Sequence, residues 1–208
     1  MKAINSRFTG ILLILALLVL WEGSAKLGWV RSVSWPSISS VGQTWIQLAL
    51  SGELLANILP SLERMFIGYF VAGALAIALG LHMGYFRLFL HLLEPLVEIL
   101  RPIPSPAYIP IVILFLGIDD EMKIFMIAFA SFFPVLLNTY SGVRSVEPIL
   151  IDTGRTLGLN RRRTVQKIII PAALPYIFTG LRISLGISLI LMVIAELVAA
   201  NSGIGFFI

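Results

Sequence analysis

Met65–Phe86 reads Met-Phe-Ile-Gly-Tyr-Phe-Val-Ala-Gly-Ala-Leu-Ala-Ile-Ala-Leu-Gly-Leu-His-Met-Gly-Tyr-Phe, with His82 as its one acidic, basic or imidazole side chain. About 20 apolar residues in a helix cross the hydrocarbon core of a bilayer, so this stretch is a membrane span. Ala72, Ala76, Gly80 and Gly84 recur at every fourth position. They form a ridge of small side chains on one helix face, where another helix backbone can approach closely. The rest of the chain has the same character. Of 208 residues, 58% are hydrophobic and 12% charged, and the mean hydropathy is +0.97. Soluble domains carry about twice that share of charge, and a chain of this size cannot hide so much apolar surface. Disordered, collagenous, coiled-coil and small secreted classes are excluded on composition. The absence of cysteine excludes disulfides, thiolate metal sites and thiol catalysis.

Working outward, Phe8–Trp21 is a first apolar block, read as a retained span; the alternative is a signal-peptide core with a weak cleavage site at Gly23-Ser24-Ala25. Lys26–Pro60 is a mixed segment whose Trp29, Trp35 and Trp45 suit the membrane interface. Downstream, Leu88–Leu100 is amphipathic and reads as an interfacial helix. Pro102-Ile103-Pro104-Ser105-Pro106 cannot be regular helix, so the uncharged stretch Pro102–Ile118 is expected to be a broken third span. Ile124–Val143 is a fourth span, with Pro134 as its expected kink. Leu174–Ala200 is a fifth, carrying Arg182, Glu196 and a second small-residue ridge at Gly180, Ser184 and Ser188.

Five spans with the N-terminus inside place Lys2, Arg7, Arg87, Arg101, Arg144, Arg155, Arg161, Arg162, Arg163 and Lys167 on the inner side, against Lys26, Arg31 and Lys123 outside. The net charge of +4 is thus first a topology signal. The polar stretch Ser145–Pro171 then faces the cytoplasm. Ile149–Leu157 and Arg162–Ile170 are helix-compatible limbs. Gly158 suits the C-terminus of the first, and Pro171 is expected to stop the second. Two short helices at an Arg-rich bend make a docking surface. The other reading, a solvated basic loop that only sets topology, stays open on composition.

Asp152-Thr153-Gly154, three residues, Gly158, nine residues, Ile168, one residue, Ile170-Pro171 is similar to the EAA motif of ABC importer permeases: Glu-Ala-Ala, three residues, Gly, nine residues, Ile, one residue, Leu-Pro. Gly158, Ile168 and Pro171 match by identity; Thr153 and Gly154 depart, and Gly154 weakens its helix by roughly 1 kcal/mol relative to Ala. Arg101-Pro102-Ile103-Pro104, Phe132-Phe133-Pro134-Val135-Leu136-Leu137-Asn138-Thr139, Leu174-Pro175-Tyr176-Ile177-Phe178-Thr179-Gly180-Leu181-Arg182 and Ala195-Glu196-Leu197 resemble the branch importing nitrate, sulfonates, taurine or bicarbonate. The resemblance implies an all-α membrane protein, a type I ABC importer permease-like bundle of about five transmembrane helices with a cytoplasmic coupling loop. Residues 1–60 would be an N-terminal span and interfacial segment. Residues 61–208 would be the permease domain with its coupling loop at 145–171, stopping short of the sixth span of that family.

The resemblance further implies two permease chains, a cytoplasmic ATPase docked on each loop and an extracytoplasmic substrate-binding protein. ATP and Mg would be bound by the ATPase. This sequence holds no G-x-x-x-x-G-K-[ST] loop to cradle phosphates. Asp152, Thr153, Gly154, Gly158, Arg161, Arg162, Arg163, Ile168 and Pro171 would serve ATPase coupling. Asp152 is expected to pair with a cation or helix N-terminus. The three arginines are expected to meet acidic ATPase groups or anionic lipid. Pro102, Pro104 and Pro106 are pathway candidates. Glu196, an acid within a span, is a gate or interhelical pairing candidate, with interfacial solvation as its other reading; Arg182, 14 residues away, is out of reach within the helix. His91, Glu94 and Glu98 share one helix face and read as solvated rather than metal-binding. Arg161–Arg163 lack the interleaved aromatics of a nucleic-acid site. The alternative class is an ATPase-independent secondary transporter or channel, whose paired intramembrane charges or inverted repeats are not evident. An intramembrane enzyme would need convergent acid, base or nucleophile groups. A non-transporting assembly protein is the remaining alternative.

Overall fold

The computed structural model describes residues 6–29 and 34–207, with side chains from residue 9 onward. Lys2, the Arg7 side chain and Arg31, all used for orientation, lie outside the described residues, as does Ile208. Two compact units divide the chain at Ala56/Asn57.

In the first unit, α1 (Ser6–Lys26) runs unbroken through Gly23-Ser24-Ala25. It exposes apolar side chains all along its length, as a lipid-facing helix does. Gly52, at φ +78°, ends α2 (Ile38–Ser51). Polar bonds tie the end of α1 to the start of α2. Trp21 Nε1 donates to the Pro36 carbonyl (3.1 Å) and Trp35 Nε1 to Ser24 Oγ (3.1 Å). Glu22 accepts from the Ser39 amide and hydroxyl while pairing with Lys26. Most of the described part of the mixed segment is helical.

α3 (Glu53–Tyr85) begins twelve residues before the apolar stretch and passes through Pro60. Its 33 residues extend about 50 Å, more than the ~30 Å hydrocarbon core requires. α4 (Arg87–Leu100) follows directly. A short 3₁₀ turn (Ser105–Tyr108) then leads into α5 (Ile109–Leu116), and the two limbs meet at 89°. The expected third span is thus an elbow. Three prolines within five residues remove the donors that would continue α4, and α5 alone is too short to cross. Among the described residues four helices are long and apolar enough to span, or five if the elbow counts as one.

α6 (Asp120–Arg144) runs between α3 and α9 (Ile170–Ala199). Met122, Met126, Ile127, Val135 and Leu136 on it are fully buried. The predicted ridges make these contacts. A methyl group on Gly80 would stand 2.9 Å from the Leu136 carbonyl; Gly68, outside the predicted ridge, makes the same approach, 2.8 Å from the Ile124 carbonyl. On α9, a methyl on Gly180 would stand 3.0 Å from the Pro134 carbonyl, and Ser184 Oγ donates to the Ser131 carbonyl (2.7 Å). Close backbone approach and interhelical hydrogen bonds hold helices together where lipid offers no hydrophobic drive. Tyr69 Oη donates to the Leu181 carbonyl (3.1 Å), joining α3 to α9.

Candidate functional site

The 145–171 loop is built from two limbs folded on each other. α7 (Pro148–Thr156) opens with proline in its first turn, where the missing N–H is no loss. It closes in a Schellman turn: the Leu159 amide donates to the Gly154 carbonyl (3.0 Å), the Gly158 amide to the Arg155 carbonyl (2.9 Å), and Gly158 stands at φ +77°. Asn160 Oδ1 accepts from the Arg163 amide (2.9 Å), capping α8 (Arg161–Thr164). Gly154 is buried, and a methyl there would stand 2.6 Å from Ile168 Cδ1 and 3.3 Å from Leu159 Cδ1. The departure from alanine leaves room for the second limb to pack on the first.

Pro171 does not stop the second limb. A π-helical turn (Val165–Ile169) carries α8 straight into α9, with Pro171 in the first turn of α9. The wider turn accommodates the missing proline donor. Val143, Val146, Ile169, Ala173 and Ile177 form a buried cluster that seats the loop on the ends of α6 and α9. Asp152 pairs with Arg155 of its own helix (3.0 Å), and both side chains are exposed. Arg161, Arg162 and Arg163 are also exposed, as are Ile149 and Leu157. With Leu150 exposed as well, the outward surface is basic with three apolar points.

At the opposite ends of α3, α6 and α9 lies a second polar assembly. Glu196 is buried to 1% exposure in the last turn of α9. It accepts from Ser61 Oγ (2.7 and 2.8 Å), Arg64 Nη1 (2.9 Å) and the Gly205 amide (2.9 Å). Arg64 also donates to the Ser202 carbonyl and hydroxyl (3.1 Å each), and its Nε lies 2.9 Å from Asp120 Oδ1, an ionic contact without hydrogen-bond alignment. Lys123 reaches the same Asp120 oxygen (3.0 Å). Ser61 Oγ accepts from the Ile204 amide (2.8 Å) and Asn57 Oδ1 from the Gly203 amide (3.2 Å). α3 and α9 thus grip the segment running into α10 (Ile204–Phe207). Gly203 and Gly205 lie so close to the Glu196 side chain that a methyl on either would stand within 2.6 Å of it. A polar cavity of about 580 Å³ opens beside Arg64, Asp119, Asp120, Lys123 and Ser202.

Glu196 makes interhelical pairs and is not solvated. The sequence pattern does not point to Arg64 as its partner; Ser61 and Arg64 at the polar start of α3 are the available signal. Pro102, Pro104 and Pro106 are exposed at the elbow. A wholly apolar cavity of about 370 Å³ between α3, α4 and α6, beside Leu75, Leu93 and Phe129, is lined by none of them. His91, Glu94 and Glu98 are exposed on α4.

A lipid-facing helical bundle with a two-limbed basic loop at one end and a buried ion-paired assembly at the other defines a polytopic membrane protein. Residues 68–208 match the binding-protein-dependent transport system inner membrane component family, and the chain belongs to it. It is similar to the putative aliphatic sulfonates transport permease SsuC of Bacillus subtilis, at 35% identity over 96% of this chain and 72% of the relative. It is also similar to a probable ABC transporter permease of Brucella melitensis, at 40% over 97% of this chain and 82% of the relative. The taurine transport system permease TauC of Escherichia coli is 34% identical over 92% of this chain and 72% of its own length. The chain is an inner-membrane, multi-pass transport permease.

Proposed function

We propose that this chain, paired with a second copy of itself, forms the membrane pathway of an ATP-driven importer for a small anion such as a sulfonate, taurine, nitrate or bicarbonate. A soluble binding protein delivers the substrate from outside. Residues 145–171 face the cytoplasm with the N-terminus and dock on a separate ATPase, which binds ATP and Mg. The observation carrying this reading is the continuity of the loop with α9 through the Val165–Ile169 turn, together with the Gly154–Ile168 contact that folds the two limbs into one body. A displacement of that body is transmitted along a helix of 30 residues, about 45 Å, to the Glu196 assembly. ATP binding shifts the transporter only by favouring one of its conformations.

Within this scheme Asp152, Thr153, Gly154, Gly158, Ile168 and Pro171 shape the docking body, and Arg161–Arg163 offer charge to the ATPase. Pro102, Pro104 and Pro106 bend the chain at the pathway, and Glu196 holds its outer end closed. Mass spectrometry of the complex purified through a tagged chain in mild detergent tests the reading. A Walker-motif ATPase is expected with the wild type and not with Gly158→Val, whose branched side chain cannot adopt φ +77° without strain. Recovery of the folded chain alone would favour an ATPase-independent secondary transporter or channel.

A further inference from the structure

We infer that the cleft beside the loop binds the phosphate headgroup of an anionic phospholipid. About 470 Å³ of space lies where the end of α3, the start of α4 and the loop converge. Arg87 of α4, Arg155 of α7 and Arg161 of α8 line it, with Leu88, Val143 and Ile169 among its apolar walls. The three guanidinium groups come from three helices, Arg87 and Arg155 lying 68 residues apart in sequence. Arg155 has Asp152 at 3.0 Å; among the described residues Arg87 and Arg161 have no carboxylate partner. Guanidinium forks match phosphate oxygens in pairs. The apolar walls favour a lipid over a free anion: Phe86, Leu88 and Phe89 continue from the cleft onto exposed apolar surface, where acyl chains would lie. Basic clefts between helix ends at a membrane surface attract anionic headgroups. The inference leans on the proposed cytoplasmic loop only for the leaflet that supplies the lipid.

Native mass spectrometry of the full chain, titrated separately with phosphatidylglycerol, phosphatidylcholine and inorganic phosphate, tests it. Phosphatidylglycerol is expected to be retained over phosphatidylcholine. Arg87→Gln should lower that retention about fivefold, and Arg87→Gln with Arg161→Gln further still. Arg101→Gln, an equal change of charge at the other end of α4, should leave it unchanged. Monodisperse elution of each variant verifies its fold. Equal retention of both lipids, indifference to Arg87→Gln, or saturable inorganic phosphate binding without lipid preference overturns the inference. ATPase recovery with the wild-type chain is a separate readout: no lipid preference in the wild type with the ATPase retained sinks this inference alone, and a wild-type lipid preference without the ATPase sinks only the proposed coupling.

Discussion

Gly154 and Gly158 sit four residues apart and answer to different demands. Gly158 has open space where a side chain would stand, and only its positive φ requires glycine. Gly154 has ordinary helical backbone, and the tip of Ile168 occupies its side-chain position. Gly158→Ala should therefore destabilise the loop by about 1–2 kcal/mol whatever its neighbours. Gly154→Ala gains about 1 kcal/mol of helix propensity and loses it again by displacing Ile168. In an Ile168→Val background, which removes the clashing Cδ1, the gain should emerge. A double-mutant cycle on thermal stability in detergent checks this, and strict additivity of the two changes would contradict it. The sequence showed where the turn would fall, because a glycine at the end of a helical limb has few other uses. It did not reveal the reason for Gly154, because that reason is a contact with a residue 14 positions away.

At the scale of elements, α3, α6 and α9 are joined by small-residue faces along their lengths and by a charged knot at one end. The small-residue ridges were legible as spacing in the sequence. The knot was only half legible: Glu196 stood out as an acid in a span, but its partners come from Ser61, Arg64 and the Ser202–Gly205 segment, which no helical periodicity connects. A carboxylate in the last turn of a helix opposes the helix dipole, and the buried guanidinium of Arg64 offsets it. Removing one partner of a buried pair leaves an uncompensated charge, at a cost of about 3–5 kcal/mol. Arg64→Met should therefore destabilise the bundle strongly, and Arg64→Met with Glu196→Leu should recover much of the loss. If the double variant proves no better than the single, the pair does not carry the coupling assigned to it. The elbow between α4 and α5 illustrates a further limit. Proline spacing announced a break, but its angle follows from how the two limbs pack.

For the whole molecule, the distribution of charge is the basis of the proposed orientation. The loop end carries the cluster Arg155, Arg161, Arg162, Arg163 and Lys167, whereas α6 opens at the far end with Asp119, Asp120 and Glu121. The natural absence of cysteine makes an introduced one unique. Both Thr153 and Glu121 are exposed. Thr153→Cys should react with a membrane-impermeant maleimide only in inverted vesicles, and Glu121→Cys only in intact cells. Labelling of Thr153→Cys from outside would reverse the proposed topology.

The π-helical turn at Val165–Ile169 also sets an azimuth. Such a turn holds one residue more than the α-helix it interrupts, and each residue of an α-helix advances the chain by about 100°. The compass direction in which the arginines of α8 face, viewed down the axis of α9, is thus fixed by a residue count rather than by any side chain. Two relatives with identical loop residues but differing by one position in this turn would present their basic faces to different quarters of the membrane surface.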